Sequence, residues 1–212
     1  MAVTFALDAK KTALLVYDVV NEMADAGGAF YDPSVSRVLS PIQRMLSSCR
    51  TMGIPVFYTV PASEGPEDMG IMATFYPELA ARGLFRTGSR GSEVHSSIKP
   101  EKGDTVLAKP RYGAFYGTRL HQILRRKGID TILLCGISTQ VGCSTTAREA
   151  ASRDYRVVMV KDACLSRPIA DQGWGPVSAE DVERVHMSTL ARSFAMVATS
   201  DEVIRRLGAG SR

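Results

Sequence analysis

Short apolar runs alternate along the chain with longer segments in which apolar residues recur every three or four positions. Ala13-Leu14-Leu15-Val16-Tyr17 is apolar throughout, the pattern of a strand covered on both faces. After it, Val35, Val38, Leu39, Ile42, Met45, Leu46, Cys49 and Met52 form one helical stripe, closed by Gly53. Pro41 falls inside that stripe, and Ser40-Pro41 predicts a kink or a restarted helix with Ser40 as its cap. Further strands are predicted at Ile54 to Tyr58, Thr105 to Ala108, Thr131 to Cys135, Arg156 to Val160 and Ala195 to Ala198. Helices are predicted from Thr118 to Lys127, over 140–153, over 179–193 and from Asp201 to Leu207. Residues 60–103 carry no regular period and are rich in Gly, Pro and Ser, which predicts a long surface excursion. A loop of such length in a compact domain is more often functional than idle.

Strands separated by helices of these lengths need right-handed crossovers. The predicted fold is therefore α/β with three layers, a mostly parallel sheet with helices on both faces. No repeat or linker divides the chain, so residues 1–212 read as a single domain.

Composition narrows the function classes. Hydrophobic residues at 45% and charged residues at 23% are ordinary globular values. The net charge of +4 is mild, and the basic clusters Arg125-Arg126-Lys127 and Arg205-Arg206 sit at predicted helix ends, where they complement the helix dipole. No aromatic residues interleave with them, so no nucleic-acid partner is expected. Asp18 cuts the first apolar run, so neither a signal peptide nor a membrane span is expected, and the cytoplasm is the expected location. The four cysteines, Cys49, Cys135, Cys143 and Cys164, lack paired metal-site spacing and are expected as free thiols. The three histidines, His95, His121 and His186, lie far apart, so no metal and no cofactor is expected. What remains as partner is a small-molecule substrate.

In an open parallel sheet, ligands bind beyond the carboxyl ends of strands. Asp18 follows the first predicted strand, Lys109 the third, and Gly136 to Cys143 follows the fourth and opens a helix. Each has a plainer reading: an Asp that caps a turn, a surface Lys, a tight strand-to-helix turn. Their joint placement favours chemistry, because a carboxylate beside an ammonium at a helix N-terminus can handle protons while backbone N–H groups hold negative charge.

The stretches Leu14 to Asp18, Lys109 to Leu120, Gly136 to Ala150, Tyr155 to Val158 and Asp162 to Cys164 together resemble the isochorismatase-like hydrolase family. The resemblance covers residues 12–205 and implies that family's fold, homodimers or homotetramers, and, in its amidases, an Asp, Lys and Cys triad. Asp18 and Lys109 fall on the Asp and Lys. The amidase cysteine stands three residues after one Thr and four before another, and counting from Thr139 and from Thr146 both lead to Gly142. Cys143 is the next residue, and on a helix that step turns the side chain by about 100°, away from a pocket.

Glycine at that position resembles the isochorismatases, in which an acid protonates a vinyl-ether carbon and water adds to the cation. That implies Asp18 as general acid, Lys109 as its partner, and Gly142 and Val141 against the substrate. Arg111 and Tyr112, beside Lys109, are further substrate-binding candidates. Isochorismatases differ in carrying Gln where Val20 stands, Gln in the turn holding Thr59-Val60-Pro61, and Tyr at Ser138, which leaves the substrate open. Three functions stay in view. One is a cysteine-independent hydrolase through Asp18 and Lys109; another is a thiol amidase in which Cys143 is the nucleophile through a shifted helix start. The third is a non-catalytic binding protein. Phe115 stands as core or contact residue, and Trp174 as pocket lid or subunit contact.

Overall fold

The computed structural model describes residues 3–209. In chain order the elements are β1 (Thr12–Tyr17), α1 (Asn21–Ala24), α2 (Ser36–Thr51), β2 (Val56–Pro61), α3 (Met72–Phe75), α4 (Pro77–Arg82) and β3 (Thr105–Lys109). There follow α5 (Leu120–Arg126), β4 (Thr131–Ile137), α6 (Ser144–Ala151), β5 (Arg156–Leu165), α7 (Ala179–Ser193), β6 (Met196–Ala198) and α8 (Ser200–Ala209). The six strands form one sheet in the order β3-β2-β1-β4-β5-β6, and every neighbouring pair is parallel. No helix among the described residues is long and apolar enough to cross a membrane.

The sequence accounts for this order directly. β1 and β4 are buried along their whole length, as the two central strands of a doubly covered sheet must be. Edge strand β3 shows exposed Val106 and Ala108 instead. From β1 the chain crosses to β2 on one side, and from β4 it crosses to β5 on the other, so right-handed crossovers put the connecting helices on opposite faces. On one face α2 packs against the central strands with α8 beside it; on the other, α6 packs against β5 with α7 alongside.

Three expectations need adjustment. Pro41 neither kinks nor restarts α2, which runs unbroken from Ser36 to Thr51 with the Pro41 ring buried. One backbone bond is lost, but the stripe of Val38, Ile42, Met45, Leu46 and Cys49 holds the helix against the sheet. Its entry is a short turn in which the Asp32 carboxylate accepts from the Ser34 N–H, so Ser40 caps nothing. The region 60–103 is more than a surface excursion. Its residues Met69, Leu79, Leu84 and Phe85 form a second small core with Val20, and Phe85 stacks on Phe30 with ring centroids 5.6 Å apart. Before α6, Thr139–Cys143 forms a wide π turn in place of the first part of the predicted helix.

Candidate active site

Strand order reverses between β1 and β4, the place where an open α/β sheet leaves a crevice. Asp18 leaves β1 there with φ +49°, a left-handed conformation that Asp tolerates better than most residues. Its backbone N–H points to Thr59, at 3.2 Å from both the carbonyl and Oγ1, and Thr59 Oγ1 donates to Asp18 Oδ1 at 2.7 Å. The other carboxylate oxygen, Oδ2, lies 2.7 Å from Lys109 Nζ, and the two side chains are only 6% and 4% exposed. Lys109 reaches this point from the end of β3. Its ammonium also donates to the Arg111 carbonyl at 3.0 Å and sits 4.6 Å from the centre of the Tyr17 ring. Desolvating such a pair costs several kcal/mol per ion, on the order of what the attraction and added hydrogen bonds return.

The pair forms the floor of a cavity of about 330 Å³. Gly142, Val141 and Ser138 line it from the segment after β4, and Arg111 and Tyr112 from the segment after β3. The roof is apolar and comes from the second small core: Met23, Phe30, Leu79 and Phe85. Arg167, just past β5, closes one side. Its Nη2 donates to the Met23 carbonyl at 3.3 Å, its buried Nε has no hydrogen-bond partner, and burial pulls its pKa down despite the charge of Asp32. Among the described residues, neither Arg111 nor Arg167 is ion-paired with a carboxylate.

Gly142 and Cys143 separate at this point. Gly142 lies against the Tyr17 side chain so closely that a Cβ there would overlap the ring. Cys143 is fully buried, faces the core beside Cys164 and does not line the cavity. Burial, then the neighbouring Cys164, pushes its thiol well above the ordinary range, the opposite of an activated nucleophile.

The structure thus brings Asp18, Lys109, Arg111, Tyr112, Val141 and Gly142 around one cavity and leaves Cys143 outside it. Phe115 is a buried packing residue near Tyr155, with ring centroids 5.8 Å apart. Trp174 is 95% exposed on a turn organised by Asp171 Oδ1, which accepts from Gly173 and Gly175, and it lines no part of the cavity. Tyr17, Thr59 and Arg167 went unmarked in the sequence. Strand alternation sends Tyr17 to the face opposite Asp18, and only the left-handed turn at Asp18 lets both meet the cavity. Arg167 follows a strand end and was open to the same reasoning that picked out Asp18.

Residues 12–202 match the Isochorismatase domain family model. Over 162 residues the chain is 33% identical to isochorismatase of Bacillus subtilis (strain 168), a match covering 76% of this chain and 50% of the relative. The chain accordingly spans about half the length of that relative. A cysteine hydrolase from Pseudomonas syringae pv. phaseolicola 1448A superposes with a TM-score of 0.95 at 32% identity, covering 99% of this chain and 98% of the other. N-carbamoylsarcosine amidase from Thermoplasma acidophilum superposes with a TM-score of 0.69 at 34% identity, covering 90% and 97%.

Proposed function

The chain belongs to the isochorismatase family, and from that premise we propose that it is a hydrolase of a small anionic molecule, working through Asp18 and Lys109 without a covalent thiol intermediate. The observation that carries this reading is the buried 2.7 Å contact between Asp18 and Lys109 on the cavity floor, with Cys143 turned into the core. A carboxyl group there can give its proton to a substrate carbon or leaving atom. Water then adds to the resulting cation and its proton returns to the carboxylate; in the vinyl-ether case the hemiketal so formed splits its C–O bond to give a carbonyl compound and an alcohol, so atoms and charge balance with nothing attached to the enzyme. Lys109 holds the carboxyl in place through the 2.7 Å contact. Gly142 lines the cavity beside the helix start, and the space it leaves is filled by the Tyr17 ring.

An anionic substrate is supported by Arg111 and Arg167, two guanidiniums on the walls with no carboxylate partner, facing the single acidic side chain on the floor. Bidentate Arg contacts suit carboxylates. The apolar roof suits a flat or unsaturated body. The bond broken is a vinyl ether or a C–N bond. The second is favoured by the 34% identity with N-carbamoylsarcosine amidase, and in that case Asp18 activates water directly. The family resemblance also supports a homodimer or homotetramer, while the sequence pattern supports a single hydrolase domain acting in the cytoplasm.

The test is turnover of a panel of vinyl-ether carboxylates and carboxylate-bearing amides by wild type and two variants. Asp18→Asn should abolish turnover, by about 10²-fold or more, while Cys143→Ala keeps it. The reverse pattern would return the reaction to the thiol. Tight binding across the panel without any turnover would make the protein a binding module.

A further inference from the structure

Tyr17 is the last residue of β1 and the cavity's most enclosed aromatic. Its hydroxyl donates to the carbonyl of Tyr112, with the negative charge of Asp18 nearby. A Cβ built on Gly142 would fall onto Cε1, Cζ and Oη of the ring. The tip of the phenol therefore occupies the place into which any side chain at position 142 would project. With the Lys109 ammonium over its face, the ring is fixed from three sides.

We propose that Tyr17 is a third catalytic residue and the one that sets the type of reaction: its phenol fills the position that a side chain at 142 would take beside Asp18 and Lys109, and donates a hydrogen bond to the reacting group. This rests on the reading that the Asp18 cavity is the reacting centre. The phenol forms no bond to the substrate and keeps its proton. Because Oη carries one proton, donation to the substrate means release of the Tyr112 carbonyl. Burial, followed by the negative charge of Asp18, holds the phenol well above its ordinary pKa, so it stays a neutral donor through neutral pH.

The reasoning makes Tyr17 and Gly142 one steric unit, and that can be measured without a substrate. Gly142→Ala alone should lower Tm by about 5 °C or more, because the added methyl meets the ring. In a Tyr17→Val background the same change should cost about 2 °C or less. Combining Gly142→Cys with Tyr17→Val should expose the introduced thiol to the cavity, where iodoacetamide alkylates it at least about ten-fold faster than native Cys143. Equal Tm losses in both backgrounds, or an introduced thiol as inert as Cys143, would overturn the steric unit.

Tyr17→Phe keeps the ring and removes only the donor. It should lower kcat about ten-fold or more with KM within about three-fold, at a Tm close to wild type. An unchanged kcat would make Tyr17 a spacer and end its catalytic role. Failure of these arms leaves Asp18 chemistry standing, whereas an active Asp18→Asn variant removes that chemistry and leaves the steric result intact.

Discussion

Gly142 and Cys143 are neighbours in the chain and sit in opposite surroundings. On the Gly142 side lie a buried ion pair, a phenol and two guanidiniums without acidic partners. On the Cys143 side lie a second thiol and apolar side chains, all dry and closely packed. One side carries polar groups whose burial costs free energy, and the other supplies the packing that holds the turn in place. On the proposed reading, reactivity follows from where the backbone aims a side chain: a cysteine next to a functional position is inert when the turn aims it at the core.

The largest effect is expected on the polar side. Lys109→Met leaves the Asp18 carboxylate buried without its partner and should destabilise the protein by about 3–5 kcal/mol. Joining it with Asp18→Leu should recover most of that loss in denaturant melts, since a matched apolar pair needs no desolvation. If the double variant is no more stable than the single one, the ion pair holds the fold and the contrast between the two sides collapses. Next, Thr59→Val removes the hydroxyl that donates to Asp18 Oδ1 at 2.7 Å. Turnover should fall by about ten-fold, the worth of one hydrogen bond to a charged group. A Thr59→Ser variant should restore it.

The buried thiols on both faces of the sheet should report through alkaline pH. Burial pushes the Cys49 thiol up to about 12, and Cys135 and Cys143 are raised as well. A thiol with a raised folded pKa holds its proton more tightly than in the unfolded chain, where it titrates near ~8.5. Its stabilising share is therefore complete below that value and is lost as pH rises toward about 12 for Cys49. Each such group should remove about 1.4 kcal/mol per pH unit in that window, read as Tm falling between pH 9 and 11. A flat Tm would show the thiols to be less enclosed than their positions imply. Smallest of all, Cys143→Ala should cost about 1–2 kcal/mol of stability and change turnover by less than about two-fold. A rate loss without a stability loss would move Cys143 to the reactive side.

Much of this architecture is legible in the chain. The apolar runs of β1, β4 and β5 and the stripe of α2 stand out because burial on one or both faces leaves a periodic trace. Asp18 and Lys109 were reachable through the rule that sites lie beyond strand ends, and Gly142 through counting from two threonines. Other parts left no such trace. Pro41 argues against a continuous helix on local grounds, and packing overrides it. Tyr17 reads as one more apolar strand residue until the left-handed backbone of Asp18 is known, and no pattern announces that turn. The apolar residues of 69–85 are too irregularly spaced to suggest that they gather into a core of their own.

That second core has a consequence for motion. The cavity's roof, Phe30, Leu79 and Phe85, is built on a cluster distinct from the one holding the sheet, while its floor belongs to the sheet. Two packing units can open with different free energies, the smaller one first. Amide hydrogens of 69–85 are expected to exchange with solvent well before those of β1 and β4. A molecule lodged between Phe85 and Asp18 would tie the units together, so its arrival should be seen as slowed exchange in the roof, with the central strands hardly altered.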